Sequence, residues 1–159
     1  MTEPRWLNQS EAHAWRAFRR MRALLDLQLG RDLAQDSGFS EADYDVLSNL
    51  SEAEGRKMRL SELAGLMLWS KSRLSHHVTR MEQRGLVVRR ECESDARGAD
   101  VVLTDAGWEA IVSAAPGHVG SVRAHFIDLL SDDQIKVLGD ISEKVVEHLR
   151  DRQRVARNP

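Results

Sequence analysis

Apolar positions recur at helical spacing along most of this chain, and the longest run comes first. Trp15, Phe18, Met21, Leu24, Leu25, Leu29 and Leu33 share one broad face, predicting a helix from a Ser10 cap to about Gln35. Leu27 lies off that face and widens the apolar surface beyond what one neighbouring helix would cover. Asp36-Ser37-Gly38 ends the run. Ser40 and Asp43 make a capping-box-like pair opening a second helix, with Tyr44, Leu47 and Leu50 inward. Glu52 to Lys57 reads as a polar connector. Leu60, Leu63, Leu66 and Met67 then predict a short third helix with Ser61 as its cap. Leu74, Val78 and Met81 predict a fourth, capped by Ser70 and stopped by Gly85, which takes a left-handed conformation without steric cost.

The period then changes. Leu86-Val87-Val88-Arg89-Arg90 and Asp100-Val101-Val102-Leu103-Thr104 are β-favouring runs around a polar loop that holds Asp95-Ala96-Arg97-Gly98, which predicts a hairpin. Thr104 caps a further helix through Ala106, Trp108 and Ile111, which Pro116-Gly117 is expected to bend or break. Val119, Val122, Phe126, Leu129 and Leu130 resume the helical pattern. A last helix starts at Ser131-Asp132-Asp133 and carries Ile135, Leu138, Ile141, Val145, Val146 and Leu149 along one side. Asp151 to Pro159 reads as a charged, frayed tail. In the leader, Trp6 and Leu7 are too apolar for a free segment and are expected to pack on something.

Two short helices joined by a tight turn, the second polar and basic outward, form a helix-turn-helix, and a hairpin directly after it is a wing. The predicted fold class is therefore mainly α with a small β-hairpin wing (α+β). Residues 37–104 would be a winged helix-turn-helix DNA-binding domain. Residues 1–36 and 105–150 would supply N- and C-terminal dimerisation helices, since a winged domain alone does not need about 80 further helical residues to cover its core. Residues 151–159 are the tail. The polar face of the fourth helix reads as a recognition surface of Ser70, Lys71, Ser72, Arg73, Ser75, His76, Thr79 and Arg80, with Arg73 and His76 deepest. A solvated charged face is the plainer alternative, and the adjoining wing tells against it. His77 is turned about 100° from His76, and its role stays open. In the wing, Arg89 and Arg90 alternate, so that one faces DNA and the other does not. Arg97, followed by a Gly98 that permits a tight turn, is placed to enter a minor groove, with Asp95 two residues before it to hold its guanidinium.

The order RLSELA, then SKSRLSHHVTRMEQRGLVVRR, then DARGADVVLTDAG resembles the MarR family of winged helix-turn-helix regulators. The D-x-R-G wing followed by a strand and Leu-Thr is the most specific part of the likeness, which extends from about Ser10 to Leu149. The resemblance implies a homodimer whose terminal helices form the dimer lobe. It implies repression as the mode of action, and release by a small-molecule effector bound between the DNA and dimer lobes. Trp15, Arg16 and Trp69 are the candidates for that crevice, although ordinary core is the favoured reading of both tryptophans. The reactive cysteine of thiol-sensing relatives lies in the first helix, where this chain has none, so Cys92 reads as incidental.

Charge first argues against nucleic acid, because the net value is only −2. Its distribution reverses that. Between Arg56 and Arg97 ten Lys/Arg face five Asp/Glu, a balance of +5, and the remainder carries −7. A basic middle in an acidic frame is what a phosphate-facing lobe on a soluble body requires. A single cysteine forbids an intrachain disulfide and points to a reducing compartment. No signal peptide and no apolar run of membrane-spanning length is evident, which predicts a cytoplasmic protein without a membrane partner. The six histidines show no zinc-ligand spacing, so neither metal nor other cofactor is expected. Phosphate-loop, nucleophile-elbow, zinc-protease and dinucleotide motifs are lacking, so an enzyme is not expected.

The function that follows is sequence-specific, dimeric DNA binding to regulate transcription. The partners are double-stranded DNA with a pseudo-palindromic operator, a second copy, and a small-molecule effector. Two-fold symmetry would set two recognition helices one DNA turn, roughly 34–36 Å, apart. The alternative is a winged-helix protein-interaction module that reads no DNA sequence. Steep salt dependence of duplex binding separates the two.

Overall fold

The computed structural model describes the backbone of residues 3–92 and 95–157, and the side chains of these except 92, 95–97 and 153–157. Six α-helices and three strands follow one another as α1 (Gln9–Ser37), α2 (Glu41–Glu52), β1 (Lys57–Arg59), α3 (Leu60–Leu66), α4 (Lys71–Gln83), β2 (Val87–Cys92), β3 (Asp95–Leu103), α5 (Asp105–His125) and α6 (Asp132–Arg157). The chain divides into two compact units, Met1–Gly120 and Ser121–Pro159.

The core of the first unit is built around the helix-turn-helix. Val46, Leu47 and Leu50 of α2, Leu63 of α3, Leu74, Val78 and Met81 of α4, and Val87 and Val101 of the wing are fully buried together. The three α4 residues are the ones its 3.6-residue period selects. Leu66, expected on the inner face of α3, is exposed, because the helix ends there and the chain turns away. The sheet is antiparallel in the order β1-β3-β2, with Met58 opposite Val101 and Val88 opposite Val102.

Local capping explains where the helices start, and corrects two expectations. α1 is capped by Asn8 rather than Ser10. Asn8 Oδ1 accepts from the Glu11 N–H at 2.9 Å while Glu11 Oε2 accepts from the Asn8 N–H at 2.9 Å, a reciprocal pair that Ser10 cannot match. Ser61 caps nothing, because α3 issues directly from β1 with Arg59 at its N-cap and no side-chain bond. Ser40 and Asp43 do form the expected box (3.1 Å each way), and Ser70 accepts from the Arg73 N–H at 3.1 Å.

Both ends of the helix-turn-helix close in the same way. After α4, Gly85 stands at φ +75°, with the Gly85 N–H on Glu82 O and the Leu86 N–H on Met81 O. After α3 the same pair of bonds, Leu68 to Gly65 and Trp69 to Ala64, surrounds Leu68 at φ +55°. A leucine therefore occupies the left-handed position that glycine usually fills, and its side chain is 81% exposed.

Four further expectations are corrected. Glu52–Lys57 is not a plain connector. α2 runs through Glu52, Gly55 turns at φ +64°, and Lys57–Arg59 forms an edge strand on β3. Asp95–Gly98 belongs to β3 and not to the hairpin loop. Gly98 makes no positive-φ turn there; it sits beside the Arg59 guanidinium, whose carbon a Cβ would meet at 3.5 Å. α5 passes through Pro116 unbroken. Proline withdraws one donor, and it does so on an exposed side of the helix, where Val112 and Pro116 both lie. In the second unit, α6 continues to Arg157 instead of fraying at Asp151, since Arg152, Gln153, Arg154 and Ala156 favour helix.

Close approach fixes how α5 leaves the wing. Thr104 Oγ1 accepts from the Gly107 N–H (2.9 Å) and lies 2.6 Å from Gly85 O, to which its hydroxyl donates. The Thr104 N–H donates to Leu86 O at 3.1 Å. A Cβ at Gly107 would fall 2.1 Å from Leu86 O. The Leu-Thr-Asp-Ala-Gly stretch is thus a fitted joint between α5 and the end of α4.

The two long terminal helices are less covered. Trp15, Phe18, Met21, Leu24 and Leu27 of α1 are exposed, as are Val137, Ile141, Val145, Val146 and Leu149 of α6. Trp6 and Leu7, expected to pack, are exposed too. Among the described residues no helix is long and apolar enough to cross a membrane.

Candidate nucleic-acid interface

α4 presents one polar face and buries the other. Ser70, Lys71, Ser72, Arg73, His76, Thr79 and Arg80 are exposed and Ser75 is half-buried. All eight therefore share the outward side of one 13-residue helix, begun by the Ser70 cap. The Arg73 guanidinium lies 3.8 Å from the centre of the Trp69 ring, which props it at the start of the helix.

Arg89 ties the wing to this helix. Its backbone N–H donates to Glu82 Oε1 at 2.7 Å, and its guanidinium forms an ion pair with the same carboxylate. Its Nη2 donates to Ser75 O (2.5 Å), Ser75 Oγ (3.2 Å) and Thr79 Oγ1 (3.2 Å). The side chain thus spans Ser75, Thr79 and Glu82, one ridge of α4 at helical spacing. Ser75 and Thr79 are engaged within the protein, and Arg89 is half-buried over α4. Arg90 is exposed on the opposite side of β2, where it lines a hollow of about 650 Å³ with Lys57, Arg59, Glu62 and Asp100. The alternation expected of the two arginines is present. The side chains of Asp95 and Arg97 lie outside the described residues; their backbone is the start of β3.

A buried polar cluster, which residue patterns did not reveal, supports α4 from below. His77 points into the core with Nε2 3.1 Å from Asp43 Oδ1, while its Nδ1 accepts from Arg80 Nη2 at 2.9 Å. Trp69 meets the His77 ring edge-on at 5.6 Å. Arg84 Nη1 donates to Asp43 Oδ2 at 2.8 Å. Burial alone would raise the Asp43 pKa, yet the bonds from Arg84 and Ser40 outweigh it and hold the carboxyl below its ordinary value. Burial pushes His77 down, with Arg80 and Arg84 adding to that and Asp43 opposing it. Asp43 therefore serves both as the capping residue of α2 and as the anchor of α4. Its capping role was legible locally. Its pairing with Arg84, 41 residues away, had no local signal.

The residues proposed for an effector are not joined. Trp15 stacks on Phe18 with ring centres 6.1 Å apart, and Arg16 lines a shallow hollow with Asn8, Gln9, Ser10 and His13. Trp69 is occupied by Arg73 and His77. No ring contact or hydrogen bond links Trp15 to Trp69 among the described residues. No group of three or more His, Cys, Asp or Glu among them is placed to hold a metal ion.

The geometry has counterparts in known proteins. Residues 37–98 match the sequence model of the MarR family. AbsC, a MarR family transcriptional regulator from Streptomyces coelicolor, is 48% identical in sequence, with a TM-score of 0.89 over 93% of this chain and 99% of that one. Sco3205, a MarR family transcriptional regulator from the same organism solved in complex with DNA, is 42% identical over 94% of this chain and 93% of that one, also with a TM-score of 0.89. An HTH-type transcriptional regulator of Bacillus cereus is 26% identical over 121 residues, 76% of this chain and 79% of the relative.

Proposed function

The chain belongs to the MarR family of transcriptional regulators, and from that premise we propose that it is a dimeric, sequence-specific DNA-binding repressor, cytoplasmic and non-catalytic. The observation that carries this reading is the exposed face of α4 held in fixed relation to a wing by Arg89. A major groove about 12 Å wide admits a helix, and a minor groove about 6 Å wide admits an arginine but no helix. In this arrangement Lys71, Arg73 and His76 meet base edges. Ser70, Ser72 and Arg80 meet the backbone, while Ser75 and Thr79 act through Arg89. Arg97, with Asp95 beside it in sequence, enters the flanking minor groove, and Arg90 adds positive charge at the wing.

A second copy covers the exposed apolar faces of α1 and α6, in keeping with the domain plan of terminal segments 1–36 and 105–150 around a DNA-binding segment 37–104. The resulting two-fold axis calls for a pseudo-palindromic site. Release by a small molecule belongs to the same reading. Trp15 and Arg16 on α1, and Trp69 at the foot of α4, are proposed to face it; the exposure of Trp15 and the hollow beside Arg16 support this.

Selection of bound duplexes from a random pool tests the proposal. The expected product is an inverted repeat with half-sites about one turn apart, bound with a steep salt slope. Binding with no recovered symmetry, or with a flat salt response, would overturn it.

A further inference from the structure

Arg80 and His77 stand three residues apart on α4, one on its exposed face and the other in the core beneath. Arg80 Nη2 donates to His77 Nδ1 at 2.9 Å, and His77 Nε2 lies 3.1 Å from Asp43 Oδ1 on α2. A guanidinium has no lone pair to offer, so Nδ1 must be the bare nitrogen of the ring. The ring proton then sits on Nε2, the nitrogen 3.1 Å from the carboxylate oxygen. Only this tautomer lets one buried imidazole hold an arginine of the outer face from below.

We propose that His77 is a positioning residue that aims Arg80 at the DNA backbone, and that protonation of its Nδ1 releases Arg80 and weakens DNA binding. This rests on the reading of α4 as the DNA-facing helix. Protonation turns Nδ1 from acceptor into donor. Two N–H groups and two positive charges then oppose each other where one hydrogen bond stood, and the exposed arginine leaves for solvent.

The charges facing the ring come from two elements. Asp43 on α2 favours the imidazolium, whereas Arg80 on α4 and Arg84 at its C-cap oppose it, and Trp69 contributes an uncharged ring edge. Burial is the largest influence and lowers His77 from 6.5, so the ring stays neutral at pH 7 and charges in acid. His76, exposed beside it on the proposed DNA-facing side, is replaced throughout so that His77 is compared alone.

The test uses the full chain with His76→Asn as a common background. Binding of a mixed-sequence duplex is followed against salt at about pH 8 and at an acid pH where nitrogen NMR shows His77 protonated. The slope counts phosphate contacts. With His77 present, acidification should flatten it by about one unit. His77→Asn puts a non-titrating carbonyl near the place of Nδ1 and should keep the full slope at both pH values. Equal flattening with and without His77 overturns the proposal. If Arg80→Ala keeps the full slope at pH 8, Arg80 does not meet phosphate, and the underlying reading of that residue fails instead. Nitrogen NMR of the DNA-free protein gives an independent measure. It should show a protonated Nε2 and a bare Nδ1 at pH 8, and the other tautomer would overturn the proposal without any DNA.

Discussion

Arg89 on the first strand of the wing donates to the main-chain carbonyl of Ser75 at 2.5 Å, fourteen residues earlier in the chain. A backbone acceptor cannot swing aside, so this bond fixes the distance between the wing and α4. With Glu82 closing the other side of the guanidinium, helix and hairpin move as one body. The proposed reading of a major groove and an adjacent minor groove together needs that rigidity.

Arg89→Ala should uncouple the two readers. The half-buried Glu82 carboxylate loses its partner, which costs about 1–3 kcal/mol in chemical denaturation. Paired duplexes differing only in A·T or G·C flanks should lose their difference in affinity, while preference within the major-groove half-sites persists. Arg89→Lys keeps the charge but not the planar fork and should recover only part. Unchanged flank discrimination in Arg89→Ala would show that the clamp does not orient the wing.

Gly107→Ala should be among the most damaging single-methyl changes available. The added carbon would lie 2.1 Å from Leu86 O and 2.7 Å from Leu103 Cδ1, and a main-chain oxygen has nowhere to retreat. A loss of about 3 kcal/mol is expected from thermal or urea unfolding. A melting temperature equal to the parent's would mean that the α5 joint is loose.

Leu68→Gly should stabilise the protein. Leucine at φ +55° carries the left-handed strain that glycine avoids, and at 81% exposure its side chain contributes little packing. A gain of roughly 0.5–1 kcal/mol is expected, with Gly85→Ala giving a loss of similar size at the matching turn. The two variants compared by urea denaturation should shift in opposite directions.

Acid should destabilise this chain in two stages. His77 is depressed below 6.5, so its stabilising neutral state is fully present above that value and is lost as the pH falls through the folded-state value. Asp43 is depressed below 3.8, so its contribution persists to lower pH and disappears last. Stability measured against pH should begin to fall below about 6.5 in the parent, and His77→Asn should remove that first stage. A curve of the same shape in both would assign the upper stage to another group.

Contacts that span one turn of chain were legible from residue types alone. Ser40 with Asp43, Ser70 with Arg73 and Thr104 with Gly107 are each three residues apart, so the bond they make is settled before the chain folds back on itself. The same holds for the inward face of α4, where Leu74, Val78 and Met81 follow the helical repeat, and for the outward placement of Arg73, His76 and Arg80. Asn8 displaces Ser10 for an equally local reason, the reciprocal bond with Glu11 three residues on. Other features had no local signal. Lys57–Arg59 is too short to be a strand by itself and becomes one because β3 offers a free edge. Asp43 meets Arg84 across 41 residues, and Arg89 meets Ser75 across fourteen, only once α2, α4 and β2 have packed. Composition and period determined which residues face outward on α4, though not on α3, where Leu66 is exposed. Tertiary packing alone decided which of those outward groups are already held by the protein, because a hydrogen-bond partner is chosen by distance in space and not by distance along the chain.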